Sequence, residues 1–337
     1  MTQETVFITG ATGYIAKHII FQLLEKGYKV VGQVRSNEKG ENLVKQFNNS
    51  NFQYEVVEIL EKDGAFDEVL SKHPEVTVFL HTASPAIVVT KDNEKDILIP
   101  AVKGTKNVLQ SIKKSAPQIK KVIITSSVAA TISNADLTNP NFSGGENTWN
   151  PETYEEAIKG DGGNAYRASK ALAEKAAWEF VEKEKPNFKL STILPSYTFG
   201  PQVFESDIEN LHGTAKLLAD LLYLKKDSPI QPFFGVSGDV RDVAKAHILA
   251  FEKEEAEGKR FVISVNTFNF QWVIDIFRKN FKDLAETLPV GTPLPENFFA
   301  HALKVNDQNA RKILNIDYIP FEKTVVDHIK QIIDHKN

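Results

Sequence analysis

Two side chains in the segment NAYRASKALAEKAAW (164–178) have types and a spacing that suit proton-transfer chemistry. Tyr166 and Lys170 lie four positions apart among alanine, leucine, glutamate and lysine, which are strong helix formers. On a helix, positions i and i+4 share a face, so a phenol would stand beside an ammonium group. Such a pair could donate a proton and stabilise the phenolate, or could be a half-buried ring beside a lysine that reaches solvent.

A glycine-rich segment, TGATGYIA (9–16), follows the first strand-like run and opens the first helical one. Gly10 permits a tight turn, Gly13 lets a pyrophosphate approach the backbone, and Ala16 lets the helix pack closely on the strand. In this strand–turn–helix context the pattern is typical of dinucleotide binding. The alternative is a turn with a purely structural purpose.

The end of the second strand-like run, VRSNEK (34–39), indicates which dinucleotide is bound. An acidic residue about 20 positions beyond the glycines usually holds a free ribose 2′-hydroxyl. Arg35 stands there instead, with Ser36 beside it and Lys39 nearby, and a cation could pair with a 2′-phosphate. The pattern favours NADP(H) over NAD(H), although a solvated surface arginine would look the same.

A pair of serines ends the fifth strand-like run, in TSSVAA (125–130). Parallel sheets place their ligands at the carboxyl ends of their strands, although hydroxyls that merely cap a strand end are common there. Ser127 on this strand and Tyr166 with Lys170 on the next long helix could converge on one carbonyl group.

The elements that must position these residues alternate between strands and helices. Strand-like runs dense in valine and isoleucine are VFITG (6–10), KVVGQVR (29–35), YEVVEI (54–59), VTVFLHT (76–82), KVIITSS (121–127) and KLSTILP (189–195). Helical segments separate them, which predicts βαβ units and a buried parallel sheet. The fold class we expect is α/β, a Rossmann-type doubly wound parallel sheet with a smaller mixed α/β C-terminal substrate lobe.

The pattern changes after about residue 196, where proline and glycine cluster in PSYTFGPQ (195–202). Mixed helices and loops follow, with a strand-like run RFVISV (260–265) and an amphipathic helical segment DVRDVAKAHILAFEK (239–253). We expect residues 1–195 to form the NADP-binding domain that carries the catalytic residues. Residues 196–337 would form the substrate lobe, with some segments returning to the core.

Composition narrows the class of protein. The 337 residues are 42% hydrophobic and 25% charged, with no apolar run of membrane-spanning length and no secretion signal, so we expect a cytoplasmic protein without a membrane partner. A net charge of −4 with no basic stripe argues against nucleic-acid binding. The absence of cysteine excludes thiolate chemistry, and eight dispersed histidines argue against a metal site.

The order TGATGYIA, TSS, YRASK and DVRDV resembles the extended short-chain dehydrogenase/reductase superfamily. Further segments resemble the NADPH-dependent methylglyoxal/isovaleraldehyde reductases of yeast and fungal ketoreductases, and more distantly the plant dihydroflavonol reductases. These segments are HTASP (81–85), LIPAVKGTKNVL (98–109), SKALAEKAAWEF (169–180), FGPQ (199–202) and DVRDVAKAH (239–247).

The resemblance implies roles for individual residues. Ser127 and Tyr166 would bind the substrate carbonyl oxygen, and Tyr166 would donate the proton, its pKa lowered by Lys170 and the oxidised nicotinamide. Lys170 would also bind the nicotinamide ribose, and Asn107 would support a proton relay through water. Further residues matched to the cofactor site are Thr12, Tyr14, Ile15, Ile59, Leu60, Thr82, Ala83, Ser84, Pro195, Tyr197 and Thr198.

Three positions depart from the pattern of these relatives. Ile59 stands where an aspartate commonly holds adenine. Ala86, followed by Ile87, and Val128 stand where close relatives often have an aromatic residue. The small side chains at 86 and 128 predict a roomier apolar pocket around the substrate carbonyl, unless local repacking fills the space.

The function that we expect is NADPH-dependent reduction of a small aldehyde or ketone by a monomer or homodimer. A nucleotide-sugar epimerase or dehydratase on the same fold is a second hypothesis, although Arg35 argues against the NAD of epimerases and Val128 against a dehydratase. A redox-sensing binding protein is a third, but such proteins commonly lose the pair formed here by Tyr166 and Lys170.

Overall fold

The structure is a computed structural model that describes residues 4–85, 89–137, 143–295 and 304–336. The strands within these ranges are β1 (Thr5–Thr9), β2 (Lys29–Val34), β3 (Phe52–Val56), β4 (Val76–His81), β5 (Lys121–Thr125), β6 (Ser143–Gly145), β7 (Lys189–Pro195), β8 (Tyr197–Phe199), β9 (Phe234–Asp239), β10 (Arg260–Ile263), β11 (Asn266–Asn269) and β12 (Lys304–Asn306).

The helices alternate with these strands through the first part of the chain. In the same ranges they are α1 (Tyr14–Glu25), α2 (Asn37–Phe47), α3 (Asp67–Ser71), α4 (Ile99–Ser115), α5 (Asn134–Leu137), α6 (Tyr154–Lys159), α7 (Gly162–Glu184), α8 (Gly213–Asp220), α9 (Val240–Glu252), α10 (Phe270–Asn280), α11 (Lys282–Thr287) and α12 (Phe321–Lys336). None of the described helices is long and apolar enough to cross a membrane.

The described strands build a seven-stranded parallel sheet in the order β10-β7-β5-β4-β1-β2-β3. Both of its faces are covered, since successive side chains of β1 enter different cores. Val6 and Ile8 pack with α1 and α9, whereas Phe7 packs on the other face with residues of α4 such as Val108. The expected Rossmann-type sheet is therefore confirmed, and its strand order reverses between β1 and β4, where such sheets bind ligands.

A smaller sheet of the C-terminal part has the order β11-β9-β8. Phe199, Phe268 and Phe321 meet beside it, with ring centroids of Phe199 and Phe268 5.0 Å apart. In the large sheet, β10, which lies beyond residue 196, pairs with β7. The amphipathic segment predicted at 239–253 is α9.

The third strand was predicted to begin two residues and to end three residues too late. The run YEVVEI predicted a strand over 54–59, but β3 spans Phe52–Val56. Phe52 is buried and begins the pairing with β2, which ends where Val56 meets Val34. The side chain of Ile59 then lies 49% exposed, because it follows the strand instead of belonging to it.

Candidate active site

The glycine-rich loop between β1 and α1 packs closely on the segment that follows β4. Gly10 has φ of 65°, and a Cβ there would lie only 3.1 Å from Cα of Ala83. Gly13 precedes α1 in an extended conformation, and no side chain caps the backbone amides at the start of this helix. Amide groups at the start of a helix with no capping side chain favour an anion, so the loop fits the pyrophosphate of a dinucleotide.

Gln33 of β2 holds this loop in place, a role that we did not predict. Its Oε1 accepts a hydrogen bond of 2.9 Å from the amide of Gly10, and its Nε2 donates to the carbonyl of Val57 at 2.7 Å. The side chain is 1% exposed. The sequence carried a signal for this role, since a glutamine stands within the apolar strand KVVGQVR. A side-chain amide buried in a strand needs hydrogen-bond partners.

The segment after β4 forms the opposite wall of the loop. Oγ1 of Thr9 accepts hydrogen bonds of 3.1 Å from the amides of both Thr82 and Ala83, and also contacts Nδ1 of His81 at 2.9 Å. Burial lowers the pKa of His81 to about 3, with Lys170 adding to the effect, so the imidazole is neutral. Thr82 and Ala83 are therefore fixed beside the glycines, and Ser84 follows them half-buried.

Arg35 and Lys39 are exposed at the end of β2 and the start of α2. Arg35 forms no ion pair with any residue in the described ranges. Oγ of Ser36 accepts a hydrogen bond of 3.4 Å from the amide of Lys39 and thus caps α2, which leaves its O–H able to donate. Two cations and a hydroxyl at one strand end suit a 2′-phosphate.

Asn107 lies on α4 and contacts the segment that follows β3. Its Nδ2 donates to the carbonyl of Leu60 at 3.4 Å, beside exposed Ile59. This contact joins α4 to Leu60, which lies in the segment after β3. Its relay role is not supported by this contact and stays a prediction.

Helix α7 and strand β5 bring Ser127, Tyr166 and Lys170 together. Asp161 caps α7 by accepting from the amide of Asn164 at 2.7 Å, so the helix extends over both Tyr166 and Lys170. Nζ of Lys170 lies 5.8 Å from the centroid of the Tyr166 ring. The hydroxyl of Ser127 donates to the carbonyl of Pro195 at 3.4 Å and lies close enough to the Tyr166 phenol to lower its pKa.

The pKa of Tyr166 shifts in the opposite direction to the prediction. Burial raises it, Tyr197 adds to the rise, and the nearby Ser127 hydroxyl opposes it. The prediction assumed that Lys170 and an oxidised nicotinamide would outweigh burial. The protein alone instead keeps the phenol protonated at neutral pH, as a proton donor must be.

Lys170 is buried, and burial lowers its pKa to about 8 while Glu174 opposes that change. Glu174 lies one turn further along α7 and is 1% exposed. It accepts hydrogen bonds from Ser126 at 2.6 Å, Thr192 at 2.8 Å and Nε of Arg260 at 2.7 Å. Sequence reasoning missed this buried cluster, although a glutamate at i+4 from Lys170 in an alanine-rich helix was a visible signal.

The remaining residues matched to the cofactor site lie around the ends of β7 and α1. Tyr197 is 38% exposed and its ring packs edge-on against Phe233 and Phe268. Thr198 is buried and donates to the carbonyl of Ser196 at 3.0 Å. Tyr14 donates to the carbonyl of Gly200 at 2.5 Å. Thr12 is exposed on the glycine loop, and Ile15 packs against the core.

The substrate side departs from our expectation at Val128. Its side chain is 4% exposed and packs with Ile132, Leu194, Val236 and Val262, so the small residue does not leave open space. The space around Val128 is thus occupied by these apolar side chains. Ala86 and Ile87, the other predicted pocket residues, lie outside the described residues.

Comparison with known proteins places the chain among reductases. A model of the 3-beta hydroxysteroid dehydrogenase/isomerase family matches residues 7–291. A putative NADPH-dependent methylglyoxal reductase of Candida albicans is 47% identical over 98% of this chain and 99% of its own length. A ketoreductase of Aspergillus niger is 37% identical over 98% of both chains.

One solved structure of similar shape is yeast methylglyoxal/isovaleraldehyde reductase complexed with NADPH. It has a TM-score of 0.94 and 40% sequence identity, and the match covers 98% of this chain and 99% of that chain. The resemblance found from the sequence motifs is thereby confirmed.

Proposed function

The chain belongs to the 3-beta hydroxysteroid dehydrogenase/isomerase family of extended short-chain dehydrogenases/reductases, and we propose that it is an NADPH-dependent carbonyl reductase. Its substrates would be small aldehydes or ketones, which it reduces to alcohols. The observation that carries the proposal is the convergence of Ser127, Tyr166 and Lys170 at the strand ends that also hold the glycine loop. The names of its relatives, a methylglyoxal reductase and a ketoreductase, support the same reaction.

Several features of the chain fit NADPH. Gly10, Gly13 and the start of α1 would hold the pyrophosphate, since no side chain caps the first amides of that helix. Arg35 and Lys39 would bind the 2′-phosphate, and the NADPH complex of the yeast relative supports this choice of cofactor. When bound, NADPH supplies the hydride for the reduction.

The chain's own residues handle the proton. Tyr166 donates its phenolic proton to the substrate oxygen, which becomes the hydroxyl of the alcohol product. Ser127 contacts the phenol and would donate a second hydrogen bond to the same substrate oxygen. The Lys170 ammonium, which lies 5.8 Å from the ring centroid of Tyr166, would stabilise the phenolate that remains there.

The proposal also assigns separate functions to the two parts of the chain. Residues 1–195 would bind the cofactor and carry the catalytic groups, and residues 196–337 would form most of the substrate lobe. We further propose that the enzyme works in the cytoplasm as a monomer or homodimer. Cell fractionation and size-exclusion chromatography with light scattering test these two statements.

A screen of NADPH oxidation tests the function directly. The panel contains methylglyoxal, isovaleraldehyde, a diketone, an aryl methyl ketone and a nucleotide sugar, each assayed with NADPH and with NADH. We expect turnover of aldehydes and ketones with a preference for NADPH, and none of the nucleotide sugar. Conversion of the nucleotide sugar without any carbonyl reduction would contradict the proposal in favour of the epimerase hypothesis.

A further inference from the structure

Residues 200–202, which follow β8, are hydrogen-bonded to two helices from opposite ends of the chain. Tyr14 of α1 donates to the carbonyl of Gly200 at 2.5 Å, and Nε2 of His18 donates to the carbonyl of Pro201 at 2.9 Å. Tyr14 and His18 are four positions apart and share a helix face, and their rings meet edge to face with centroids 5.7 Å apart. The first turns of α1 are therefore fastened to the residues that follow β8.

Helix α12 contacts the same residues. Nδ1 of His328 donates to the carbonyl of Gly200, and the side chain of Gln331 bonds both the amide and the carbonyl of Gln202, at 2.7 Å and 3.0 Å. A carbonyl oxygen can only accept, so the hydrogen of the His328 ring is on Nδ1. Burial lowers the pKa of His328 to about 4, and the ring is thus neutral at physiological pH. Tyr14 and His328 share one acceptor, the carbonyl oxygen of Gly200.

Gly200 has no room for a side chain at this junction. Its φ is 134°, in the region that favours glycine, and a Cβ there would lie 2.9 Å from Cγ1 of Val240 and 3.5 Å from the hydroxyl of Tyr14. Close packing leaves this peptide little freedom to move. Its carbonyl is therefore a fixed acceptor for both helices.

The junction connects two parts of the cofactor site. Tyr14 is the first residue of α1 and follows Gly13, next to the amides that would hold the pyrophosphate. Strand β8 begins two residues after Pro195, whose carbonyl accepts from Ser127 at 3.4 Å, so β8 starts close to the groups that meet the substrate. A dinucleotide that reacts there while its pyrophosphate lies on α1 must span both places. The bond from Tyr14 to Gly200 joins these two ends of the site.

We propose that His328 is a positioning residue for NADPH. By holding the carbonyl of Gly200, it fixes the start of α1 relative to β8 and so sets the spacing between the pyrophosphate end and the catalytic end of the cofactor site. The proposal rests on the NADPH-dependent carbonyl reductase function and adds a residue of the C-terminal helix to it. A ligand that spans both ends gains affinity from a spacing that is fixed in advance, whereas a ligand that contacts one end does not.

The test compares NADPH with a fragment of it. Adenosine 2′,5′-bisphosphate carries the 2′-phosphate and a 5′-phosphate but lacks the nicotinamide half, so it would occupy the pyrophosphate end alone. Kd for each compound is measured by isothermal titration calorimetry in the wild type, in Tyr14→Phe, in His328→Leu and in the double variant. We expect each single substitution to raise Kd for NADPH about 10-fold, the scale of one net hydrogen bond, and to leave Kd for the fragment within about 2-fold.

Two further comparisons separate positioning from stabilisation of the fold. In His328→Asn the side-chain amide nitrogen can take the place of Nδ1, so this variant should recover most of the NADPH affinity that His328→Leu loses. In the double variant, Kd for NADPH should be no higher than in Tyr14→Phe, because both side chains act through one carbonyl.

Lys330→Gln is the matched control on α12. Lys330 is 63% exposed and pairs with Asp334 among the described residues, so its replacement should leave both Kd values unchanged. If His328→Leu does not fold, His328→Gln takes its place, since it moves the donor away from the position of Nδ1.

The proposal is overturned if Kd for NADPH is unchanged in the Tyr14 and His328 variants, whatever their stability in denaturant titration, since His328 would then only stabilise the fold. Equal increases in Kd for NADPH and for the fragment would also overturn it, because the contact would then only shape the start of α1. Additive effects in the double variant would contradict a common route through Gly200. Tight binding of NADPH without reduction of any carbonyl compound would instead refute the carbonyl reductase function, and the comparison of Kd values would still decide the role of His328.

Discussion

Glu174 holds a buried negative charge one helical turn beyond Lys170, and Arg260 secures it there with two hydrogen bonds. Nε of Arg260 lies 2.7 Å from Oε1 of Glu174, and Nη2 lies 3.1 Å from Oε2. The arginine also donates to the carbonyls of Glu146 and Thr148, so it connects β10 to α7 and to the turn after β6. Lys170 therefore stands on a helix that a buried ion pair anchors to β10.

The pH dependence of reduction should report the charge of Lys170. Its pKa is lowered from its usual value near 10.5 to about 8, so the amine is protonated below pH 8 and loses its charge above it. Because the ammonium stabilises the phenolate, kcat/KM for reduction should fall as the pH rises through about 8. Tyr166 does not cause this fall, since its own pKa is raised. A profile that stays flat to pH ~9.5 would contradict the role of Lys170.

Replacing Glu174 with glutamine should affect both stability and pH dependence. The change leaves Arg260 buried without its charge partner, which should lower the free energy of unfolding by about 3 kcal/mol in denaturant titration. It also removes the anion that raises the pKa of Lys170, so the fall in kcat/KM should move to lower pH. Glu179→Gln on the same helix is the control, since Glu179 is 61% exposed and its one ion pair within the described residues is with Lys183. If the variant is destabilised but keeps the wild-type pH profile of kcat/KM, Glu174 only stabilises the fold.

Removing the phenol of Tyr166 should slow the chemical step. Tyr166→Phe should lower kcat about 100-fold or more, the usual contribution of a general acid, while the affinity for NADPH measured by fluorescence titration changes little. Tyr223→Phe is the matched control, because Tyr223 is 66% exposed and its hydroxyl contacts only Lys336 among the described groups. Near-normal turnover by a folded Tyr166→Phe protein would exclude Tyr166 as the proton donor.

Reversing the charge at Arg35 should change the choice of cofactor. In Arg35→Asp, kcat/KM for NADPH should fall about 100-fold, because a charged hydrogen bond to the phosphate becomes a repulsion. The value for NADH should fall far less. Lys39→Ala, measured in parallel, shows how much the second cation contributes. If only the Lys39 variant loses the preference for NADPH, Lys39 and not Arg35 binds the 2′-phosphate.

A larger side chain at position 128 should destabilise the core without changing which carbonyl substrates are preferred. Val128→Tyr would push a ring into the cluster around Leu194 and Val262, and overpacking of this kind costs about 1–3 kcal/mol. Thermal and denaturant unfolding should show that loss, with activity on aryl ketones and on methylglyoxal reduced alike. An unchanged stability with a selective loss of aryl ketone reduction would restore the original hypothesis that position 128 lines the pocket.

The sequence sufficed for the parts of the site whose signals are local. The turn at Gly10 and Gly13, the helix that carries Tyr166 and Lys170, and the amphipathic segment that forms α9 depend on conformational freedom and periodicity within a few residues. The boundary of β3 was misplaced because valines continue past Val56, and only pairing with β2 decides where a strand ends.

The amino-acid sequence by itself determined the βαβ order, the residue types available for catalysis and the resemblance to reductases, because each is encoded in short motifs and their succession. Only the tertiary structure decided what surrounds those residues. Contacts between segments more than 80 positions apart join Arg260 to Glu174, and packing from three elements buries Val128. Burial and partner distance set the pKa values of Tyr166 and Lys170, and both are properties of the folded chain that no single segment contains.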